Sequence, residues 1–219
     1  MNRFTLLTRN IQFQSLAIAQ VLTVLSSNLL VPVMPVYLKL QGYSDTKIGI
    51  IMGISAFGAL VIRPLAGLTV DRKGSRQSLL AGQLFGSICI AAFLWVDNFL
   101  GFLAIRFCQG LSFAFQGTGA ITFASCVETP QNMAAAISLY TVFTMIGSGI
   151  GTGLAPTLYT YTGFYPLVIM SLLTLVAACS VMAFRAKSIP PCPSEGRSSY
   201  LTVIRNRDVL SPTVCLFAS

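Results

Sequence analysis

Histidine is absent from this 219-residue sequence, carboxylates number six, and charged residues make up 9% of the chain. Soluble domains carry roughly 25% charged residues, so an ordinary soluble enzyme is excluded. Without histidine, most metal centres and neutral-pH acid/base chemistry lose their usual agent. The six cysteines (Cys89, Cys108, Cys126, Cys179, Cys192 and Cys215) show no CxxC spacing, and most fall inside apolar runs. They read as small buried thiols, and neither a disulfide framework nor a zinc site is expected. The scarce charge is lopsided as well, with 14 Lys and Arg giving a net charge of +8. A nucleic-acid binder gathers such cations on one face or stripe. Here they stand singly between apolar runs about twenty residues long, so nucleic acid is set aside and the lipid bilayer becomes the expected partner.

What the chain has in quantity is apolar sequence, 54% of all residues. One membrane crossing takes about 20 apolar residues, so the length accommodates roughly six or seven spans and no extramembrane catalytic domain. Neither enzyme activity nor a cofactor is expected. Six runs stand out, at about 13–38, 47–70, 78–96, 99–127, 133–160 and 164–184, separated by polar turn signals such as Asp97-Asn98 and Thr162-Gly163. They lack the two-residue alternation of barrel strands and read as helices. The first run exceeds a signal-peptide core and has no clear small-residue cleavage site, so it counts as a span.

Basic residues set the expected topology, because they concentrate on the cytoplasmic side. With the N-terminus inside, ten fall on the inner side: Arg3, Arg9, Arg72, Lys73, Arg76, Arg185, Lys187, Arg197, Arg205 and Arg207. Only Lys39 and Lys47 fall outside, and Arg63 and Arg106 lie within spans. The expected organisation is a cytoplasmic N-terminus (1–12), a six-helix bundle (13–184) and a Pro- and Ser-rich cytoplasmic linker (185–208). An apolar start of a seventh helix (209–219) follows, too short to cross and read as truncated.

Arg106 is the most informative single residue. A cation well inside an apolar run is costly and normally faces a bundle interior or an aqueous cavity. Arg106, Gln109, Phe113, Gln116 and Ala120 recur at spacings of three and four and so share one helical face; Gln20, Ser27 and Asn28 form a sparser polar face on the first helix. Cavity lining is the expectation for Arg106, with snorkelling or capping of backbone carbonyls as the alternative. For Gln109, Gln116, Gln20 and Asn28, lining and helix bridging stand level. Arg63, before Pro64, is expected to snorkel to the headgroups. All six acids lie in or beside loops, so any proton relay would need an acid supplied elsewhere.

Between the second and third runs stands Gly67-Leu68-Thr69-Val70-Asp71-Arg72-Lys73-Gly74-Ser75-Arg76, a short basic turn in which Gly74 suits a positive φ. This pattern resembles the signature loop of the major facilitator superfamily. Arg106-Phe107-Cys108-Gln109-Gly110 resembles the superfamily's Arg-x-x-Gln-Gly motif on the fourth helix, and Pro32-Val33-Met34-Pro35 resembles the first-helix motif of twelve-helix drug exporters, with Ser26 where Gly is usual. Gly147, Gly149, Gly151 and Gly153 leading to Ala155-Pro156 look like a worn exporter motif, and read first as a small-residue packing helix. The likeness covers about residues 10–185.

The resemblance implies an all-α transmembrane fold, the N-terminal six-helix bundle of that superfamily, and a multi-pass protein of the plasma membrane. It implies secondary transport of small molecules by alternating access, with proton-coupled export of amphipathic compounds first and uptake of a sugar-like or metabolite substrate second. Gly67, Asp71, Arg72, Gly74 and Arg76 would form a gating latch. Gln20, Asn28, Arg106, Gln109, Gly110 and Gln116 would serve the cavity and coupling, while Pro32, Pro35, Gly147, Gly151 and Pro156 would shape helix packing. A C-terminal half or a second copy would be needed to complete the transporter. A non-transporting scaffold or an inactive remnant is the alternative from a different class, and it has no need of Arg106 or Gln109.

Overall fold

The computed structural model describes residues 11–127 and 132–186. Most of the expected linker and the start of a seventh helix, together with Arg3, Arg9 and the Glu128–Gln131 turn signal, lie outside the described residues. Seven helices account for nearly all of the rest: α1 (Ile11–Leu30), α2 (Met34–Leu40), α3 (Asp45–Lys73), α4 (Ser75–Ala92), α5 (Phe99–Cys126), α6 (Met133–Thr162) and α7 (Phe164–Arg185). Among the described residues there is no strand. Five segments of the described residues, with Ile11–Leu40 taken as one, are long and apolar enough to cross a membrane. The third expected span is a helix too, but α4 has 18 residues and carries Arg76, Gln77, Gln83 and three serines, which makes it less apolar than those five.

Two boundaries differ instructively from the hydropathy reading. The first run is broken after Leu30, where Pro32 and Pro35 cannot donate to the helix ladder and the chain tightens through Val33 N to Leu30 O (3.2 Å) before α2 begins. The expected polar turn at 71–77 shrinks to one residue. Asp71, Arg72 and Lys73 complete the last turn of α3, and Gly74 alone, at φ 91°, joins it to α4. The two cations suit the negative end of the α3 dipole.

α1, α4, α5 and α7 make the body of the bundle, while α3 lies along α5 and α6 lies along α1. Among the described residues α3 and α6 are covered mainly on one edge, and side chains such as Phe57, Leu60, Val142, Met145 and Leu154 are exposed on them. An aromatic cluster closes the α2 end of the body: Tyr37 stacks on Phe164 at 3.7 Å, and Phe102 stands edge-on to both Tyr37 and Tyr43. Cys89, Cys108 and Cys179 are free thiols. Cys126, the final residue of α5, is disulfide-bonded, a departure from the expected free buried thiol.

Candidate functional site

Polar side chains collect near the midpoints of four helices. Ser112 Oγ and Gln116 Nε2 on α5 both donate to the Gly82 carbonyl of α4, at 2.9 and 3.0 Å, and Gln116 Nε2 also reaches Ser112 Oγ at 2.6 Å. Gln83 Nε2 donates to Thr23 Oγ1 of α1 at 2.9 Å. Ser26 and Ser171 clasp α1 to α7 reciprocally: Ser26 Oγ donates to the Ser171 carbonyl at 2.7 Å, and Ser171 Oγ to the Ser26 carbonyl at 2.6 Å. Such bonds form because buried polar groups in an apolar medium must find partners within the bundle. Gln83 and the serine clasp escape a sequence reading, since nothing local distinguishes them from other polar residues in apolar runs.

This belt opens on one side into a pocket of about 210 Å³ between α1 and α5, lined by Gln20, Thr23, Val24, Ser27, Asn28, Phe113, Gln116 and Gly117. The structure therefore brings together Gln20, Asn28 and Gln116 from two helices more than eighty residues apart in sequence. Their amides are held by defined partners. Gln20 Nε2 donates to Thr144 Oγ1 (3.3 Å), Asn28 Nδ2 to the Val24 carbonyl (2.9 Å), and Asn28 Oδ1 accepts from Thr152 Oγ1 (3.3 Å). Both Nε2 bonds of Gln116 run away from the pocket into the belt, which leaves its amide oxygen as the atom for a ligand. A larger pocket of about 340 Å³ lies near the start of α1 and is walled by Phe13, Ala17, Ile18, Val21, Leu22 and Phe143, with Gln14 at its edge. Its nearly all-carbon wall offers little to orient a polar ligand, so the smaller pocket is the better site.

Arg106 and Gln109 share the expected face of α5 but turn to a different neighbour. Both are buried, and Arg106 donates from Nη1 to Gln109 Oε1 (2.8 Å) and from Nη2 to Met52 Sδ of α3 (3.0 Å). Neither lines the α1–α5 pocket. Gly110 lies where α5 meets α3, and a Cβ there would strike the Ser55 backbone carbonyl. Gly147 and Gly151 play the same part against α1, where a Cβ would come within 2.8 Å of the Val21 carbonyl and 2.7 Å of Asn28 Cβ. Pro156 is exposed within α6, beside Ala155, which is fully buried.

Of the turn residues, Gly67 is partly buried and Asp71 and Arg72 are exposed near the end of α3. Arg76 reaches across to α7 and donates from Nη2 to the Ala183 carbonyl (2.8 Å) and from Nε to the Met182 carbonyl (3.3 Å), capping that helix. Arg63 is exposed on α3. Among the described residues no group of three His, Cys, Asp or Glu side chains is placed to hold a metal ion.

Comparison with known proteins agrees with this architecture. Residues 16–219 match the Major Facilitator Superfamily profile. The chain is 32% identical over 145 residues to the probable vesicular acetylcholine transporter-B of Danio rerio, covering 61% of this chain and 29% of that protein. It is 24% identical over 165 residues to multidrug resistance protein 2 of Bacillus subtilis, covering 75% and 41%. It is 28% identical over 88 residues to the quinolone resistance protein NorA of Staphylococcus aureus, covering 40% and 23%. The chain thus spans less than half the length of these curated relatives. Apolar helices, a polar belt at mid-height and a profile match over most of the sequence lead to one conclusion: the chain is an integral, multi-pass membrane protein that belongs to the major facilitator superfamily.

Proposed function

We propose that this chain forms the N-terminal bundle of a secondary transporter that exports small amphipathic molecules, driven by the proton gradient across the plasma membrane. The observation that carries the reading is the α1–α5 pocket, where amide and hydroxyl groups meet the Phe113 ring within an otherwise apolar bundle. Polar groups that orient and an aromatic wall that accepts apolar bulk suit an amphipathic substrate. Relatives named for multidrug and quinolone resistance support export.

In this reading Gln20, Asn28 and Gln116 hold the substrate, and a second six-helix unit, from a longer chain or a second copy, closes the pocket from the opposite side. The exposed apolar edges of α3 and α6 would slide against that unit as the two rock about the midplane. Arg76, bound to the end of α7, ties the α3–α4 turn to the bundle, so Gly67, Asp71, Arg72 and Gly74 would move with it as a latch. Arg106 and Gln109 lie behind the pocket and act in coupling, with the acidic partner supplied by the second unit.

Energised membrane vesicles containing the chain, alone and co-expressed with a second half, test the reading directly. Expected is accumulation of a fluorescent amphipathic dye that an ionophore collapses and that Gln116→Leu abolishes. Correctly inserted protein giving no flux in either format would contradict it.

A further inference from the structure

Arg106 is 2% exposed, yet few of its guanidinium donors are well used. Nη1 is bound to Gln109 Oε1, Nη2 faces the Met52 thioether, and Nε has no partner. Nε2 of Gln109, on the amide already bonded to Arg106, is likewise buried and unpaired. Both unpaired atoms are donors. A flip of the Gln109 amide does not relieve them, because its oxygen must face Nη1.

By the standard naming of arginine atoms, Nη2 is the terminal nitrogen on the Nε–H side. Nε–H and Nη2–H therefore form the side-on edge of the guanidinium, two nearly parallel donors matched to a carboxylate or to one halide ion. In this structure a thioether, one of the weakest acceptors in proteins, occupies that edge. Among the described residues no carboxylate pairs with it. Among the described residues Asp45 is paired with Lys39, Asp71 stands in the last turn of α3, and Asp97 accepts from Tyr165 beyond the end of α4. A buried cation with no counter-ion is a costly arrangement in a bilayer. Its cover is removable, since Met52 is only partly buried and methionine is the most adaptable of apolar side chains.

We propose that the side-on edge of Arg106 binds a small monovalent anion, a halide or a carboxylate, that enters as the Met52 thioether swings aside. The site lies between α3 and α5, apart from the α1–α5 pocket, and stands whether or not that pocket carries a substrate.

The full chain in nanodiscs of zwitterionic lipid tests this by thermal unfolding, with chloride or formate replacing gluconate at constant ionic strength. Expected is a saturable rise of about 2–4 °C in the unfolding midpoint with at least one of the two anions. A rise with chloride alone assigns a halide site, and one with formate alone assigns a carboxylate site. Arg106→Gln removes the edge and abolishes the response. Should that variant fail to fold, Gln109→Glu decides, because it places a carboxylate one turn along the same helix within reach of the guanidinium; it is expected to unfold at a higher temperature and to ignore both anions. A flat wild-type response to both anions, or a response in the folded variants equal to that of the wild type, would overturn the proposal.

Discussion

α5 packs against its two main neighbours, α4 and α3, in two different ways. Towards α4, three glycines let the helices approach closely: a Cβ on Gly82 would meet Gln116 N at 2.8 Å, one on Gly119 would meet Leu79 N at 2.8 Å, and one on Gly86 would meet Ser112 Oγ at 2.6 Å. Ser112 and Gln116 find their acceptor at the Gly82 carbonyl, and no polar atom of theirs is left buried and unpaired. Towards α3 the approach is as close, through Gly58 and Gly110, but Arg106 Nε and Gln109 Nε2 are stranded. Equal steric fit with unequal polar satisfaction separates an interface that holds the bundle together from one that has room for a ligand's chemistry.

Substitutions can break or sharpen that contrast. Gly110→Ala is expected to be the most damaging, since a backbone carbonyl cannot swing away from the new methyl; a loss of about 3 kcal/mol in unfolding free energy, or failure to fold, is expected. Gln116→Leu should cost about 1–2 kcal/mol by removing two bonds of the belt. On the other interface the sign reverses. Arg106→Met exchanges a buried, poorly paired cation for an apolar side chain of similar length, and in gluconate buffer it should leave stability unchanged or raise it by about 1 kcal/mol. A destabilisation as large as that from Gln116→Leu would mean that Arg106 is already satisfied. The smallest effect belongs to α6: Gly153 has no neighbour within 4 Å, so Gly153→Ala should gain about 0.5–1 kcal/mol of helix propensity, measurable as a slightly higher unfolding midpoint.

The helices were legible in the sequence because apolar runs of spanning length have few other uses. The facing of α5 was partly legible. Periodicity puts Arg106, Gln109, Phe113 and Gln116 on one side of the helix but cannot say which neighbour each meets, and in the bundle the stripe divides between α3 and the pocket. The glycines of α6 make the same point. Gly147 and Gly151 touch α1 while Gly149 and Gly153 face open space, a division set by the position of α1 rather than by residue type. Gln83 and the Ser26–Ser171 clasp were illegible because their partners lie on other helices, 60 and 145 residues away. The break after Leu30 is legible in retrospect from Pro32 and Pro35, which read first as a family motif rather than as two missing N–H donors.

Two adjacent serines give the most direct test of the account, that α1 presents a water-accessible polar site to α5. Ser26 is fully buried in its clasp with Ser171, whereas Ser27 lines the pocket. With the native cysteines replaced, Ser27→Cys should react readily with a water-soluble maleimide and be protected by an amphipathic substrate, while Ser26→Cys should stay unreactive. Equal labelling of the two, or an inert Ser27→Cys in folded protein, would contradict the assignment of the site.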